Sequence, residues 1–418
     1  MRLFVHGLLL AIALPHAATA QEATTAAPTA AAKGFSTRRL ARIDTFIERL
    51  IAERQIPGAV VMLVKDGRVA YHKAFGERDL GTHAPERTND IFRIASQTKA
   101  VTSLAAMMLW EEGRFQLDEP VGRYLPEFNE QTVLTKFNPA DSSYESKPTR
   151  SRMTIRQLFT HTSGLDYPTI GSEEFRAIYA KAGVPSGIDA KGAVLADKMR
   201  VLAKLPLAHE PGERFTYGLS VDVLGRLVEV WSGMSLDQYF RTRIFEPLKM
   251  HDTWFNLPED RFGRLVALHR DSSGTLRAVH ELLEGVNPDF PTQHGTYFSG
   301  GGGLSSTTAD YARFLQLFLN GGELDGLRLL SRKTVELMLT NQVPDLPIAF
   351  GLGFALETPA NDYRSPLTVG SFAWGGAFNT TYWVDPKERL IGLVYTNVYG
   401  SSLKLGDYFK VLVYSAMR

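Results

Sequence analysis

Ser96-Gln97-Thr98-Lys99 is the segment whose residue types and spacing carry chemistry most directly. Three residues along a helix is almost one turn, so Ser96 and Lys99 share a face. A serine hydroxyl is a weak nucleophile that needs a neighbouring base, or a cation that stabilises its alkoxide. A Lys ammonium one turn away supplies the field; a desolvated, neutral Lys can take the proton. A serine at a helix N-terminus gains further from the helix dipole and from nearby N–H groups. The spacing is not unique, because Ser401-Ser402-Leu403-Lys404 repeats it. Context separates the two copies. Ser96 follows the apolar approach Ile91-Phe92-Arg93-Ile94-Ala95 and opens an apolar helix from Ala100 to Trp110, where a lone Lys99 charge is costly unless used. Ser401 follows Tyr399-Gly400 near the C-terminus and has no such approach.

Two downstream segments can complete such a site. Pro211-Gly212-Glu213-Arg214-Phe215-Thr216-Tyr217 precedes a helical stretch that starts at Ser220. A Tyr just before a helix can point its phenol into a cleft, and near an ammonium group it can serve as general base. Phe372-Ala373-Trp374-Gly375-Gly376-Ala377 precedes a hairpin. Its two glycines let a strand lie close to a substrate, and the Ala377 N–H can pair with that of Ser96 as an oxyanion hole. Against these readings stand ordinary packing for the Tyr and a strand bulge for the glycine pair.

Other signals are weaker. There is no phosphate-binding loop and no His-Glu-x-x-His; His280-Glu281 lacks the second His. Gly218-Leu219-Ser220-Val221-Asp222 approaches a nucleophile elbow but lies in a helical pattern, so Ser220 is a poor nucleophile. Gly300 to Gly303 reads as a loop leading to a helix capped by Thr307 with Asp310. His161 reads as structural, its ring bonded to backbone, while Arg93, Asp166 and Tyr167 are further candidates for the cleft. The chain has no cysteine, which excludes thiolate metal sites, Cys nucleophiles and disulfides. With 46 Lys+Arg against 45 Asp+Glu, the net charge of +1 gives no electrostatic footprint for nucleic acid. No metal and no cofactor is expected.

The elements that must position these groups follow from periodicity. Leu40, Ile43, Phe46, Ile47, Leu50 and Ile51 form the apolar face of a helix capped by Ser36 or Thr37. Val60–Val64 and Val69–Phe75 read as strands around Lys65-Asp66-Gly67, and Thr380–Val384 and Leu390–Thr396 as strands around Asp385-Pro386-Lys387-Glu388. Helical patterns cover 97–112, 192–204, 220–232 and 308–319, with a closing helix over 405–417. The division expected is an α/β sheet domain from 36–90 and 335–418, and a largely helical domain with active-site loops over 91–334. Residues 136–152 read as a polar, exposed loop. At the start, Arg2, the apolar run Leu8–Leu14 and Ala18-Thr19-Ala20 before Gln21 form the pattern of a signal peptide over 1–20, followed by a flexible leader over 21–35. The apolar run is too short for a stable membrane span, so a periplasmic or secreted product is expected.

Taken in order, these parts resemble the penicillin-recognising serine hydrolases, and among them the class C β-lactamase-like branch that includes the family VIII carboxylesterases. The matching pieces are Ser96-x-x-Lys99, Tyr217 and Trp374-Gly375-Gly376, supported by Gln157-Leu158-Phe159-Thr160-His161-Thr162-Ser163-Gly164, by Asp222–Glu229 and by Gly302-Gly303-Leu304-Ser305-Ser306-Thr307. The resemblance implies an α+β fold, a mainly antiparallel sheet flanked by helices with an inserted all-helical domain, and a site between the two. It implies Ser96 as acylated nucleophile, Lys99 and Tyr217 as proton handlers, and the Ala377 N–H in the oxyanion hole, leaving open which of Lys99 and Tyr217 is the base. The departures are Leu219, where penicillin-binding members carry Asn, and Trp374, where they carry the Lys of Lys-Thr-Gly. Both remove polar handles. The expectation is therefore an exported serine hydrolase acting on neutral small esters. The alternatives are a β-lactamase or D-Ala peptidase acting on amides, an acyltransferase using the same acyl-enzyme, and a binding protein without catalysis.

Overall fold

The strand sequence Gly58-Ala59-Val60-Val61-Met62-Leu63-Val64-Lys65 has no polar face, which is what a strand covered on both sides requires. In the computed structural model this strand lies inside a seven-stranded antiparallel sheet. The structure describes residues 34–188, 190, 192–272, 275–283 and 286–418; the signal peptide expected over 1–20, and the leader over 21–35 up to residue 33, lie outside the described residues. The sheet order is Ala355–Leu356, Phe372–Gly376, Thr380–Asp385, Leu390–Tyr395, Gly58–Lys65, Arg68–Asp79 and Ala84–Pro85. Its middle is the pairing of Val61 with Val394, so the two ends of the chain meet in the centre of the sheet.

Side chains alternate between two cores. Val61, Leu63, Trp383 and Val394 face the helices Thr37–Ala52 and Leu405–Ala416, whose Leu40, Ile43, Ile47, Phe409 and Val413 are buried against them. Val60, Met62, Val64, Leu393 and Tyr395 face the opposite, larger core, with the helices Thr98–Glu111, Ser220–Ser232 and Thr308–Leu319. The helix Thr98–Glu111 is buried on every residue from Thr98 to Leu109, as its nearly continuous apolar sequence demands.

Helices dominate the segment between the two parts of the sheet. That segment also carries hairpins. Residues expected as a polar loop over 136–152 are mostly exposed, and they include the end of the strand Thr132–Asn138 and the whole of its partner Ser143–Pro148. The strands gain their ladder without gaining a core, so composition hid the pairing. A second hairpin, His269–Ser272 with Thr275–Ala278, pairs in parallel with Val398–Tyr399.

Candidate active site

Between Asp90 and Leu109 every residue is buried except Ser96. A one-turn 3-10 helix, Ala95–Gln97, runs into the buried helix Thr98–Glu111 and lifts this one side chain toward the cleft. Ala95 is held at φ +42°, a left-handed conformation that costs a non-glycine residue energy and is sustained only by tight surroundings. Those surroundings are Leu268, Val279, Leu283 and Phe378, packed with Ala95 in a small apolar cluster. The turn leaves the Ser96 N–H among the unpaired first N–H groups of a helix start.

Lys99 follows one turn on and is 2% exposed. Its Nζ donates to Ser96 Oγ at 3.3 Å, to Tyr167 OH at 2.9 Å and to the Gly301 carbonyl at 2.6 Å. An ammonium has three donors and no acceptor capacity, and three acceptors surround it. Nζ also lies 4.7 Å from the centre of the Tyr217 ring and 5.3 Å from that of Tyr167. Burial alone pushes the Lys99 ammonium down; the oxygens of Tyr167 and Tyr217 outweigh it and hold the group above its usual range. Burial raises the Tyr167 phenol well above its ordinary value, against the pull of the Lys99 charge.

Tyr217 is brought to this point by packing. Its ring lies 4.7 Å from His161, 5.4 Å from Tyr167 and 5.5 Å from Trp374. The Trp374 indole N–H donates to Tyr217 OH at 3.4 Å. Phe350 packs edge-on to Trp374 and against Phe215, so the wall beside Tyr217 is aromatic and uncharged. The ring nitrogen Nδ1 of His161 accepts from the Gly218 N–H at 3.5 Å. Burial, helped by the Lys99 charge, pushes its imidazole well below the usual value, so it is neutral at pH 7.

The strand Phe372–Gly376 passes directly behind the Ser96 turn. A Cβ on Gly376 would sit 2.4 Å from the Ile94 carbonyl oxygen and 2.5 Å from Thr380 Oγ1, so only glycine lets the strand come this close. Ala377 follows at once and is exposed.

Ser96, Lys99, Tyr217 and Trp374 are thus brought together, with Gly376 against the turn that carries Ser96. Two further groups meet Lys99. Tyr167, one of several cleft candidates in the sequence, is its direct partner through the hydroxyl. The glycine run reads in the sequence as a loop before a helix. Thr307 does cap that helix, accepting from the Asp310 N–H, but the run also supplies the Gly301 carbonyl to Lys99 because its backbone folds against the active-site side of the helix Thr98–Glu111. The signal available was four consecutive glycines beside Ser299. Arg93 is fully buried outside the cleft chemistry, donating to the Pro288 and Val266 carbonyls. Asp166 braces the loop, accepting from the Tyr167 and Ser172 N–H groups. Ser220 is in a buried helix, bonded to Ser163. In the second Ser-x-x-Lys copy, Ser401 is half-buried with its Oγ accepting from the Leu403 N–H, and Lys404 is exposed.

A two-core α+β fold with a buried Lys one turn after a partly exposed Ser defines a class, and comparison with known proteins agrees. The chain belongs to the family described as Beta-lactamase, whose profile matches residues 43–414. It is a β-lactamase-like serine hydrolase. It is 30% identical over 374 residues to Esterase EstB of Burkholderia gladioli, covering 85% of this chain and 90% of that protein. It is also 30% identical over 391 residues to the monacolin J acid methylbutanoyltransferase of Aspergillus terreus, covering 84% and 89%. Among solved structures it is similar to EstCE1, described as a hydrolase with promiscuous acyltransferase activity, with a TM-score of 0.78 and 26% identity over 90% of this chain and 98% of that one.

Proposed function

We propose that this enzyme is a carboxylesterase that works through an acyl-enzyme on Ser96 and accepts neutral small esters. The observation that carries the reading is the environment of Lys99, whose three donors each meet an acceptor, one of them Ser96 Oγ. A Lys so placed is held as a cation, which favours Tyr217 as the group that handles the serine proton. Ser96 Oγ attacks the ester carbonyl carbon while its proton passes to the Tyr217 oxygen, whose own proton moves on toward the leaving oxygen. The negative charge that develops on the carbonyl oxygen meets the Ser96 and Ala377 N–H groups. Collapse breaks the carbon–oxygen bond, and Tyr217 gives the proton to the leaving alcohol. Water then attacks the acyl-enzyme by the reverse route, with Tyr217 again taking and returning the proton.

Neutral esters are favoured because Trp374 puts an apolar ring where a carboxylate-binding member has a cation, and Leu219 is fully buried in the core rather than offered to substrate. EstB, an esterase, supports this reading. The Aspergillus transferase supports a second one, in which an alcohol or amine resolves the same acyl-enzyme in place of water.

The test compares wild type with Ser96→Ala on p-nitrophenyl butyrate and on nitrocefin. Ester turnover that disappears in the variant, with slow nitrocefin opening, is the expected result; nitrocefin turnover faster than ester turnover, or equal ester rates in both proteins, would sink the esterase reading. Adding a competing alcohol and looking for the transfer product decides the second reading. Export rests on the sequence of residues 1–20 and is checked by mass spectrometry of the secreted or periplasmic product, which should begin at Gln21.

A further inference from the structure

Lys99 is a buried cation, and the three groups that accept its hydrogen bonds are all formally neutral. A buried ammonium without a counter-charge is strongly disfavoured. Asp222, in the first turn of the helix Ser220–Ser232, is 0% exposed. Its Oδ1 accepts from Ser299 Oγ at 2.6 Å and from the Gly301 N–H at 3.4 Å. Both contacts are received, which is the pattern of an ionised carboxylate. Oδ2 has no hydrogen-bond partner among the described residues. Gly301 is therefore gripped from two sides: Asp222 holds its N–H, and Lys99 holds its carbonyl. A Cβ on Gly301 would lie 2.3 Å from Asp222 Oδ2 and 3.4 Å from Tyr167 OH, so glycine is what lets the carboxylate and the phenol close on the same peptide.

We propose that Asp222 is the positioning residue and counter-charge that keeps Lys99 an ammonium directed at Ser96, acting across Gly301 and Tyr167. It touches neither substrate nor Ser96. The proposal rests on Ser96 being the nucleophile. The titratable groups around the pair come from every packed element: Lys99 from its own helix, Tyr167 from the loop after Gly164, Tyr297 from the segment before the glycine run, and Tyr217 and His161 on the cleft side of Lys99. The nearby Ser186, Gly187 and Ile188 bring none. Burial holds the Asp222 carboxyl above its ordinary value, and the Ser299 hydrogen bond and the Lys99 charge pull against it.

The experiment measures the rate at which a fluorophosphonate labels Ser96, from about pH 5 to about pH 12, in wild type, Asp222→Asn and Ser299→Ala. Labelling needs no knowledge of the natural substrate. Without the carboxylate, Lys99 loses its proton more readily, so Asp222→Asn should move the alkaline limb to lower pH by about one unit. Ser299→Ala keeps the charge but removes its strongest hydrogen bond, so it should raise the Asp222 carboxyl and move the acid limb upward. A slower Asp222→Asn whose alkaline limb stays in place would mean a structural role only and would overturn the proposal. If Asp222→Asn fails to fold by circular dichroism, the acid limb of Ser299→Ala decides, and an unmoved limb overturns it. Wild type that takes no label overturns the Ser96 assignment itself, a different failure from labelled wild type with unmoved limbs.

Discussion

The Trp374 indole N–H donates to the Tyr217 hydroxyl at 3.4 Å, with the two rings 5.5 Å apart. The residue that replaces a substrate-binding cation thus contacts the proposed base. Trp374→Phe keeps most of the ring and removes the donor. A neutral hydrogen bond is worth about 1 kcal/mol, so kcat on p-nitrophenyl butyrate should fall about fivefold with little change in KM. Trp374→Ala also removes the apolar wall against Phe350 and should raise KM. Steady-state kinetics separate the two effects, and an unchanged kcat in Trp374→Phe would deny the indole N–H a part in the reaction.

Gly376 and Gly375 are adjacent but differ in what surrounds them. A Cβ on Gly376 meets the Ile94 carbonyl at 2.4 Å, whereas one on Gly375 meets only the Thr380 carbonyl, at 3.1 Å. Gly376→Ala must push the strand away from the Ser96 turn and so separate the Ala377 N–H from that of Ser96. Losing one oxyanion donor costs about 10²–10³ in kcat, and a loss of that order is expected for Gly376→Ala. Gly375→Ala should lose far less. Equal losses in the two variants would argue against an oxyanion role for Ala377.

How far the sequence carries this site depends on what kind of contact each residue makes. Ser96 and Lys99 are legible because one helical turn joins them, and the apolar run around them shows that the charge is buried. The sheet was legible at both ends, since hairpins such as Val60–Val64 with Val69–Phe75 are local. The contacts of Tyr167 and Gly301 with Lys99, and the grip of Asp222 on Gly301, were not legible. They come from three separate segments, and nothing in the local pattern of Asp166-Tyr167-Pro168, or of four glycines, says which buried groups will meet. The same holds for the hairpin over 132–148, whose strands pair without an apolar face to mark them.

Tyr167 gives a direct test of that missed contact. Its hydroxyl is 2.9 Å from Lys99 Nζ, closer than Ser96 Oγ at 3.3 Å. Tyr167→Phe leaves one ammonium N–H unpaired in a buried site, and hydrogen bonds to charged groups are worth about 1.5–3 kcal/mol. The expected loss in kcat/KM is roughly 10- to 100-fold. If Tyr167 only packs against Tyr217, the variant will turn over ester like wild type.

His161 tests the electrostatics through stability. It is 1% exposed, holds a left-handed backbone at φ +54° and accepts the Gly218 N–H. Burial first, then the Lys99 charge, push its imidazole well below the value it has in the unfolded chain. Its folded-state value is lowered, so its contribution to stability is complete above about pH 6.5 and is lost as the pH falls and the unfolded chain takes up the proton. His161→Asn keeps a residue that tolerates the left-handed backbone and offers an oxygen near the Nδ1 position, but cannot titrate. Wild type should be the more stable protein at neutral pH, and its advantage should shrink below about pH 6.5 at up to about 1.4 kcal/mol per pH unit. His209 and His269 are also lowered by burial and remain in both proteins, so they cancel in the comparison. Chemical denaturation of the pair from about pH 8 to about pH 5 measures the difference; a wild-type advantage that stays constant over that range would show that His161 is not held neutral by its surroundings.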